Sequence, residues 1–156
     1  MDKMFFKKIF LLIILLPASG YCMAVLDIGK AYTFSGMNLK ITHKGNPAAN
    51  AKVTRIVEWQ KEKVDEFTAD ESGRVTLPEV KERSLSQLLP VQFVAAQVVN
   101  VEFQGEEYEI WVNSKMSPGK NSELGGHPLD LECELTREPV AVEDFDTILV
   151  TSCHWK

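Results

Sequence analysis

Apolar and polar residues alternate along most of the chain, and a period of two is typical of half-buried β-strands. The alternation is clearest in Leu129–Leu135, where the leucines and Cys133 share one face and acidic residues occupy the other. Four further segments show the same pattern, which predicts antiparallel strands with one face against a core. These segments are Met37–Ile41, Ala51–Trp59, Val99–Phe103 and Tyr108–Val112.

Turn-forming residues separate the predicted strands at regular intervals. Lys44–Pro47, Asp70–Gly73 and Gln104–Glu107 each place a glycine between two alternating segments, and glycine permits the positive φ that tight turns need. The glycine-rich segment Met116–His127 predicts a surface loop, and Ser84–Leu89 predicts one helical turn. Together these signals predict an all-β fold, a β-sandwich of seven to eight antiparallel strands.

The N-terminal residues predict a secretory signal peptide. Lysines precede the apolar run Ile9–Leu16, which would span about 12 Å as a helix, far less than the bilayer core of roughly 30 Å. Cleavage after Gly20 or after Ala24 fits the small residues found there, and we assign residues 1–24 to the signal. An uncleaved anchor and a lipoprotein modified at Cys22 are the alternatives.

Two cysteines remain if the signal is cleaved after Ala24, and two cysteines in an oxidising compartment usually pair. Cys133 is an even number of residues from the apolar leucines of Leu129–Leu135, so it lies on their face of the strand. In the next predicted strand, Cys153 is likewise an even number of residues from Leu149. Both side chains are therefore expected to face the core. We expect a disulfide between them, with two buried free thiols as the alternative.

Composition and charge exclude several classes of function. Residues 25–156 suffice for a single β-sandwich domain with its own core, and the chain has 17 Lys and Arg against 22 Asp and Glu. This acidic balance offers no basic patch for nucleic acid or for anionic lipid. Since the apolar N-terminal run would leave with the signal, we expect a periplasmic or secreted protein with no stable membrane span after cleavage.

Several motifs resemble known families. Gly45–Ala48, Ala51–Val53 and the hairpin Thr68–Pro78 resemble the carboxypeptidase regulatory-like module, and this implies a transthyretin-like (prealbumin-like) sandwich. Tyr108–Trp111 and Cys133–Leu135 resemble a small uncharacterised bacterial family (DUF6795-like) built on the same sandwich. Neither resemblance implies an activity, because a fold does not determine function.

The sequence contains no recognisable catalytic or cofactor motif. Hydroxyisourate hydrolases, a transthyretin-like branch, end in a Tyr-Arg-Gly-Ser motif that the terminus Ser152–Lys156 lacks, and there is no Gly-x-Ser-x-Gly elbow. His43, His127 and His154 lack the spacing of metal ligands. We therefore expect a protein without enzymatic activity, cofactor or metal.

Three aromatic residues form the candidate ligand or partner face. Trp111 is two residues from the polar Glu109, so its side chain is predicted on the same, outer face of the strand. An exposed indole there can bind a glycan or a protein. Tyr108 and Trp59 are added to this face. Burial of the tryptophan under the loop Met116–His127 is the alternative.

These observations predict a secreted or periplasmic, non-enzymatic binding module whose ligand is a protein or a glycan. An alternative is a periplasmic immunity-type protein that binds and blocks a toxin, since small size, acidity and export suit that role. A small hydrolase is a third class, for which the chain offers no recognisable site.

Overall fold

A computed structural model describes residues 29–83 and 91–155. The predicted signal segment and the helical turn predicted at 84–89 lie outside the described residues. Within them, no helix is long and apolar enough to cross a membrane. The regular structure is almost entirely β-strand, as the alternation predicts, with a 3-10 helix at Ser122–Leu124. In chain order the strands are β1 (Lys30–Phe34), β2 (Met37–His43), β3 (Asn46–Pro47), β4 (Lys52–Glu58), β5 (Glu62–Thr68), β6 (Arg74–Leu77), β7 (Val80–Arg83), β8 (Ala95–Phe103), β9 (Glu106–Lys115), β10 (Leu129–Glu134), β11 (Val140–Val142), β12 (Thr147–Thr151) and β13 (Cys153–Trp155).

The strands form two main sheets and a two-stranded ribbon of β1 and β7. The six-stranded sheet has the order β11-β12-β9-β8-β4-β5. The second sheet has the order β13-β10-β2-β3, and β6 also pairs with β2. Inward side chains of both sheets join one buried cluster, which includes Leu39 and Leu131 from the second sheet and Val99 and Ile110 from the six-stranded sheet. The arrangement is therefore sandwich-like.

One strand pair departs from the predicted antiparallel arrangement. β2 and β10 run parallel, from Leu129 opposite Met37 to Glu134 opposite Thr42. The other described pairs are antiparallel. A parallel pair needs a long connection, and here the chain from β3 to β9 supplies it. Alternation reports which face of a strand is buried and carries no information about direction, so the sequence could not reveal this pair.

The last predicted strand, Thr147–Trp155, is divided between the two sheets. β12 ends at Thr151 in the six-stranded sheet, and β13 begins at Cys153 in the second sheet, with the buried Ser152 between them. Cys153 lies directly opposite Cys133 of β10, with Cα atoms 4.1 Å apart, and a disulfide joins them. The expected bridge is present and ties the C-terminal strand to the second sheet.

The turn between β5 and β6 needs its glycine for two reasons. Gly73 has a φ of +73°, and a Cβ there would lie 2.3 Å from the carbonyl oxygen of Ile41. The carbonyl of Gly73 also accepts the Ile41 N–H at 2.8 Å. Asp70 closes the turn by accepting the N–H groups of Ser72 and Arg74 at 2.8 and 2.9 Å. The predicted turn is confirmed, and it also docks against β2.

Candidate functional site

Trp111 faces the core, so its predicted position on the outer face is wrong. Val99 of β8 pairs with Trp111, whereas the next residue, Asn100, pairs with Glu109. Ile110 is therefore an extra residue in β9, and such a β-bulge shifts the parity of the strand. Ile110 and Trp111 both point inward and are 1% and 0% exposed.

The other two candidate aromatic residues lie toward opposite ends of the six-stranded sheet, and both are half-buried. Tyr108 pairs with Val101 and lies against His43, with ring centroids 6.1 Å apart. Trp59 follows β4 and contacts Phe93 at a centroid distance of 5.4 Å. The register separates the two positions by about 20 Å along the strands. The three predicted aromatic residues thus do not form one binding face.

A buried polar network lies beneath β9, and the sequence pattern did not predict it. The loop Met116–His127, predicted at the surface, turns inward at its 3-10 helix and buries Glu123 completely. Glu123 pairs with the equally buried Lys115 at 2.7 Å. The Lys115 ammonium also donates to Ser35 Oγ at 2.9 Å and to the Gly119 carbonyl at 2.8 Å. Burial lowers the pKa of Lys115, while Glu123 beside it acts in the opposite direction.

Gln97 connects this ion pair to the rest of the interior. Its Nε2 donates to Glu123 Oε1 at 3.0 Å and to the Thr33 carbonyl at 2.7 Å. Its Oε1 accepts hydrogen bonds from Trp111 Nε1 at 3.3 Å and from Asn113 Nδ2 at 3.1 Å. Every one of these residues is buried. The network is therefore structural: it fixes the loop and the indole against the sheet.

The three histidines have different neighbours. His43 on β2 contacts the Phe103 ring at a centroid distance of 5.4 Å, and His154 on β13 lies 3.5 Å from Glu132. His127 follows the 3-10 helix and is exposed. In the part of the chain that the structure describes, no group of three or more His, Cys, Asp or Glu residues could hold a metal ion.

The outer face of the second sheet is polar, and its side chains pair with each other. Thr76 donates to Asn38 at 2.9 Å, and Asn38 donates to Asp130 at 2.6 Å. Glu132 Oε1 lies 3.6 Å from Lys40 Nζ on the neighbouring strand. These residues line a shallow depression of about 550 Å³. Because polar side chains line this face and several of them pair with each other, it offers an incoming apolar surface little apolar area to bind.

Glu134, at the end of β10, clamps the turn between β2 and β3. Its carboxylate accepts the N–H groups of Lys44 and Gly45 at 2.7 and 3.0 Å. It also accepts the hydroxyls of Thr42 and Thr136 at 2.8 and 2.7 Å. Burial raises the pKa of Glu134, but these hydrogen bonds outweigh it and lower the pKa from 4.5 to about 2.

We expect Glu134 to stabilise the fold at neutral pH and to lose this contribution as the pH falls from about 5 to about 2. A lowered folded-state pKa means that the unfolded chain binds the proton first, so acid favours unfolding. The contribution is about 1–2 kcal/mol after allowance for solvent screening. Urea unfolding of the wild type and Glu134→Gln should differ clearly at neutral pH and little near pH 2. A constant difference at all pH values would contradict this.

The outer face of the six-stranded sheet carries an apolar stripe that crosses every strand. Val64 and Val150 in this stripe are 55% and 36% exposed, and the neighbouring Ile148 is 61% exposed. Six strands at the usual spacing make the stripe about 24 Å long. A solvated sheet face normally carries polar residues, and a contiguous apolar patch marks an interaction surface. The register aligns its six outward side chains: Val64, Ile56, Val98, Val112, Val150 and Ala141.

Consecutive apolar residues in the sequence were the signal that could have revealed this stripe. Ile56-Val57, Val98-Val99, Trp111-Val112 and Leu149-Val150 each place one side chain inward and one outward. A strand with a solvated outer face has a polar residue at one of the two positions. Finding such pairs in several strands predicts a sheet that is apolar on both faces.

The fold and its surfaces define an all-β, sandwich-like protein with one polar, internally paired outer face and one apolar outer face. A domain family of unknown function, DUF6795, matches residues 37–138. This match covers more than half of the chain, so the protein belongs to the DUF6795 family, as the sequence resemblance predicted. No curated protein matches the chain, and no solved structure does.

Proposed function

We propose that this protein is a non-enzymatic protein-binding module, built on a transthyretin-like sandwich, and that the apolar stripe is its binding face. The stripe is the single observation that carries the proposal. Folding buries one face of each strand, and the hydrophobic effect gives no reason to place valine and isoleucine on the other face. A partner that covers the stripe would remove this apolar area from water.

The chemistry of the stripe favours a protein over a glycan as the ligand. Sugar-binding platforms rely on exposed aromatic rings, and Trp111, the leading candidate, is fully buried. The exposed side chains of the stripe are aliphatic, and they include Val64 and Val150. Aliphatic side chains pack well against the apolar core of a protein interface.

We propose that the module acts in the periplasm or outside the cell. The disulfide between Cys133 and Cys153 supports this location, because disulfides persist in oxidising compartments and are rare in the cytosol. The basic and apolar N-terminal segment supports export.

Replacing the two exposed valines of the stripe should weaken partner binding strongly. Val64→Ser combined with Val150→Ser removes apolar contact area, and we expect affinity to fall by about tenfold or more. The fold should persist because both side chains lie on the solvent side of their strands. The measurement is quantitative mass spectrometry of proteins captured from the cell envelope by tagged, oxidised wild type and by the variant.

The matched control changes the opposite outer face. Thr76→Ser with Asp130→Ser substitutes two exposed residues of the second sheet, and this variant should capture the same partner as the wild type. If the stripe variant retained the partner, or if no protein depended on the stripe, the proposal would be wrong. A toxin as the captured partner would establish the immunity-type role, and an envelope component would establish an assembly role.

A further inference from the structure

Carboxylates border the apolar stripe on the outer face of the six-stranded sheet. The carboxylates occupy rows of outward side chains that the register aligns across neighbouring strands. Two such rows lie on one side of the stripe, and one lies on the other side. Among the outward positions of the described strands in this sheet, Lys52 is the one cation, and Glu66 holds it at 2.7 Å. We call this group the acidic margin, and its members are Glu58, Glu62, Glu66, Glu102, Glu107 and Glu109.

The acidic margin contains like charges placed directly opposite each other. Glu58 pairs with Glu62 across β4 and β5, and Glu102 pairs with Glu107 across β8 and β9. Directly opposed like charges on neighbouring strands destabilise a sheet. All four side chains are exposed, so neither pair serves the packing of the core. Glu107 accepts a hydrogen bond from Asn100 Nδ2 at 3.0 Å, but placing a second carboxylate directly opposite brings the fold no such gain. Local rules that are broken in this way are typical of functional sites.

We propose that the partner of this face is a cationic protein surface, in which an apolar patch is flanked by lysine or arginine. This inference rests on the proposed function of the same face. The apolar patch would cover the stripe, and the flanking cations would lie over the acidic margin and relieve its internal repulsion. The formal net charge of −5 adds a long-range attraction for such a partner.

The same charges argue against the other occupants of this face. A second copy of the chain would bring two acidic margins together, and opposed like charges at an interface are unfavourable. Nucleic acid and anionic lipid carry the sign of charge that the margin repels.

Titration with synthetic amphipathic peptides tests this inference. We would compare a peptide of leucine and lysine with a peptide of leucine and glutamate, following the amide signals of Val98 and Val112 by NMR. The lysine peptide should bind at the stripe about tenfold more tightly than the glutamate peptide, and the preference should shrink between about 50 mM and about 500 mM NaCl.

The outcomes separate this inference from the proposed function. Equal binding of both peptides at the stripe would overturn the cationic partner and leave the apolar docking face standing. Binding of neither peptide, or signal changes confined to the second sheet, would overturn both.

Neutral substitutions in the acidic margin give an independent test. Glu102→Gln with Glu107→Gln removes an opposed pair, so the free protein should melt at a higher temperature while its affinity for the lysine peptide falls severalfold. The charge-matched control, Asp130→Asn with Glu132→Gln on the second sheet, should leave that affinity unchanged. A margin variant that binds the lysine peptide as tightly as the wild type would contradict the inference.

Discussion

Lys115→Met should destabilise the protein by about 3–5 kcal/mol, because it leaves the carboxylate of Glu123 buried without its counter-charge. Both side chains are fully buried, and the Nζ–Oε2 distance is 2.7 Å. Methionine fills much of the same volume, so the loss reports the missing charge and hydrogen bonds more than a cavity. The measurement is the free energy of unfolding from urea titration.

A matched ion pair on the surface supplies the control. Lys52 and Glu66 have the same 2.7 Å separation, but their side chains are 48% and 60% exposed. Lys52→Met should therefore cost far less stability than Lys115→Met. Lys115→Met with Glu123→Gln should cost less than the sum of its single substitutions, because the two groups are coupled. Similar losses for Lys52→Met and Lys115→Met would contradict the structural role of the network.

Reduction of the disulfide should lower the free energy of unfolding by about 3 kcal/mol. The bridge joins residues separated by 20 positions, and closing a loop of that length restricts the unfolded chain by about this amount. It also attaches β13, which has only three residues, to β10. Reduced and oxidised protein would be compared by urea unfolding, with free thiols counted in each sample.

The variant Cys133→Ala with Cys153→Ala shows whether the effect belongs to the bridge. Its stability should be lower than that of the oxidised wild type and should not respond to reductant. If the reduced wild type were as stable as the oxidised protein, the bridge would have no structural role. If the stability of the variant still fell in reductant, the effect would not arise from this disulfide.

The sequence predicted those strands, turns and side-chain orientations that depend only on residues close together in the chain. β2 and β10 follow their alternation, and the turn at Gly73 has the positive φ that glycine permits. Cys133 faces the core, as its alternation with the buried residues of β10 predicts. Cys153 also faces the core, although Leu149, the residue used to predict its orientation, lies in β12 and not in β13. Period, turn chemistry and parity are all short-range properties, so a single sequence carries them.

The features that the sequence did not reveal depend on residues far apart in the chain. The bulge at Ile110 reversed the parity of Trp111, and no local signal marks where an extra residue enters a strand. Glu123 resembles a loop carboxylate in the sequence, and its burial is explained by its contacts with the distant Ser35, Gln97 and Lys115. The stripe exists because the register aligns one apolar residue from each strand, for example Val98 with Val112. Register is set by the whole sheet and cannot be read from one strand.

Site-specific photo-crosslinking in living cells would show which face of the protein contacts a partner. A photoreactive phenylalanine analogue would replace Val150, in the stripe, or Thr76, on the second sheet, and both positions are exposed. We expect a discrete protein adduct on irradiation from position 150 and none from position 76. Adducts from position 76 alone, or from neither position, would show that the apolar stripe is not the binding face.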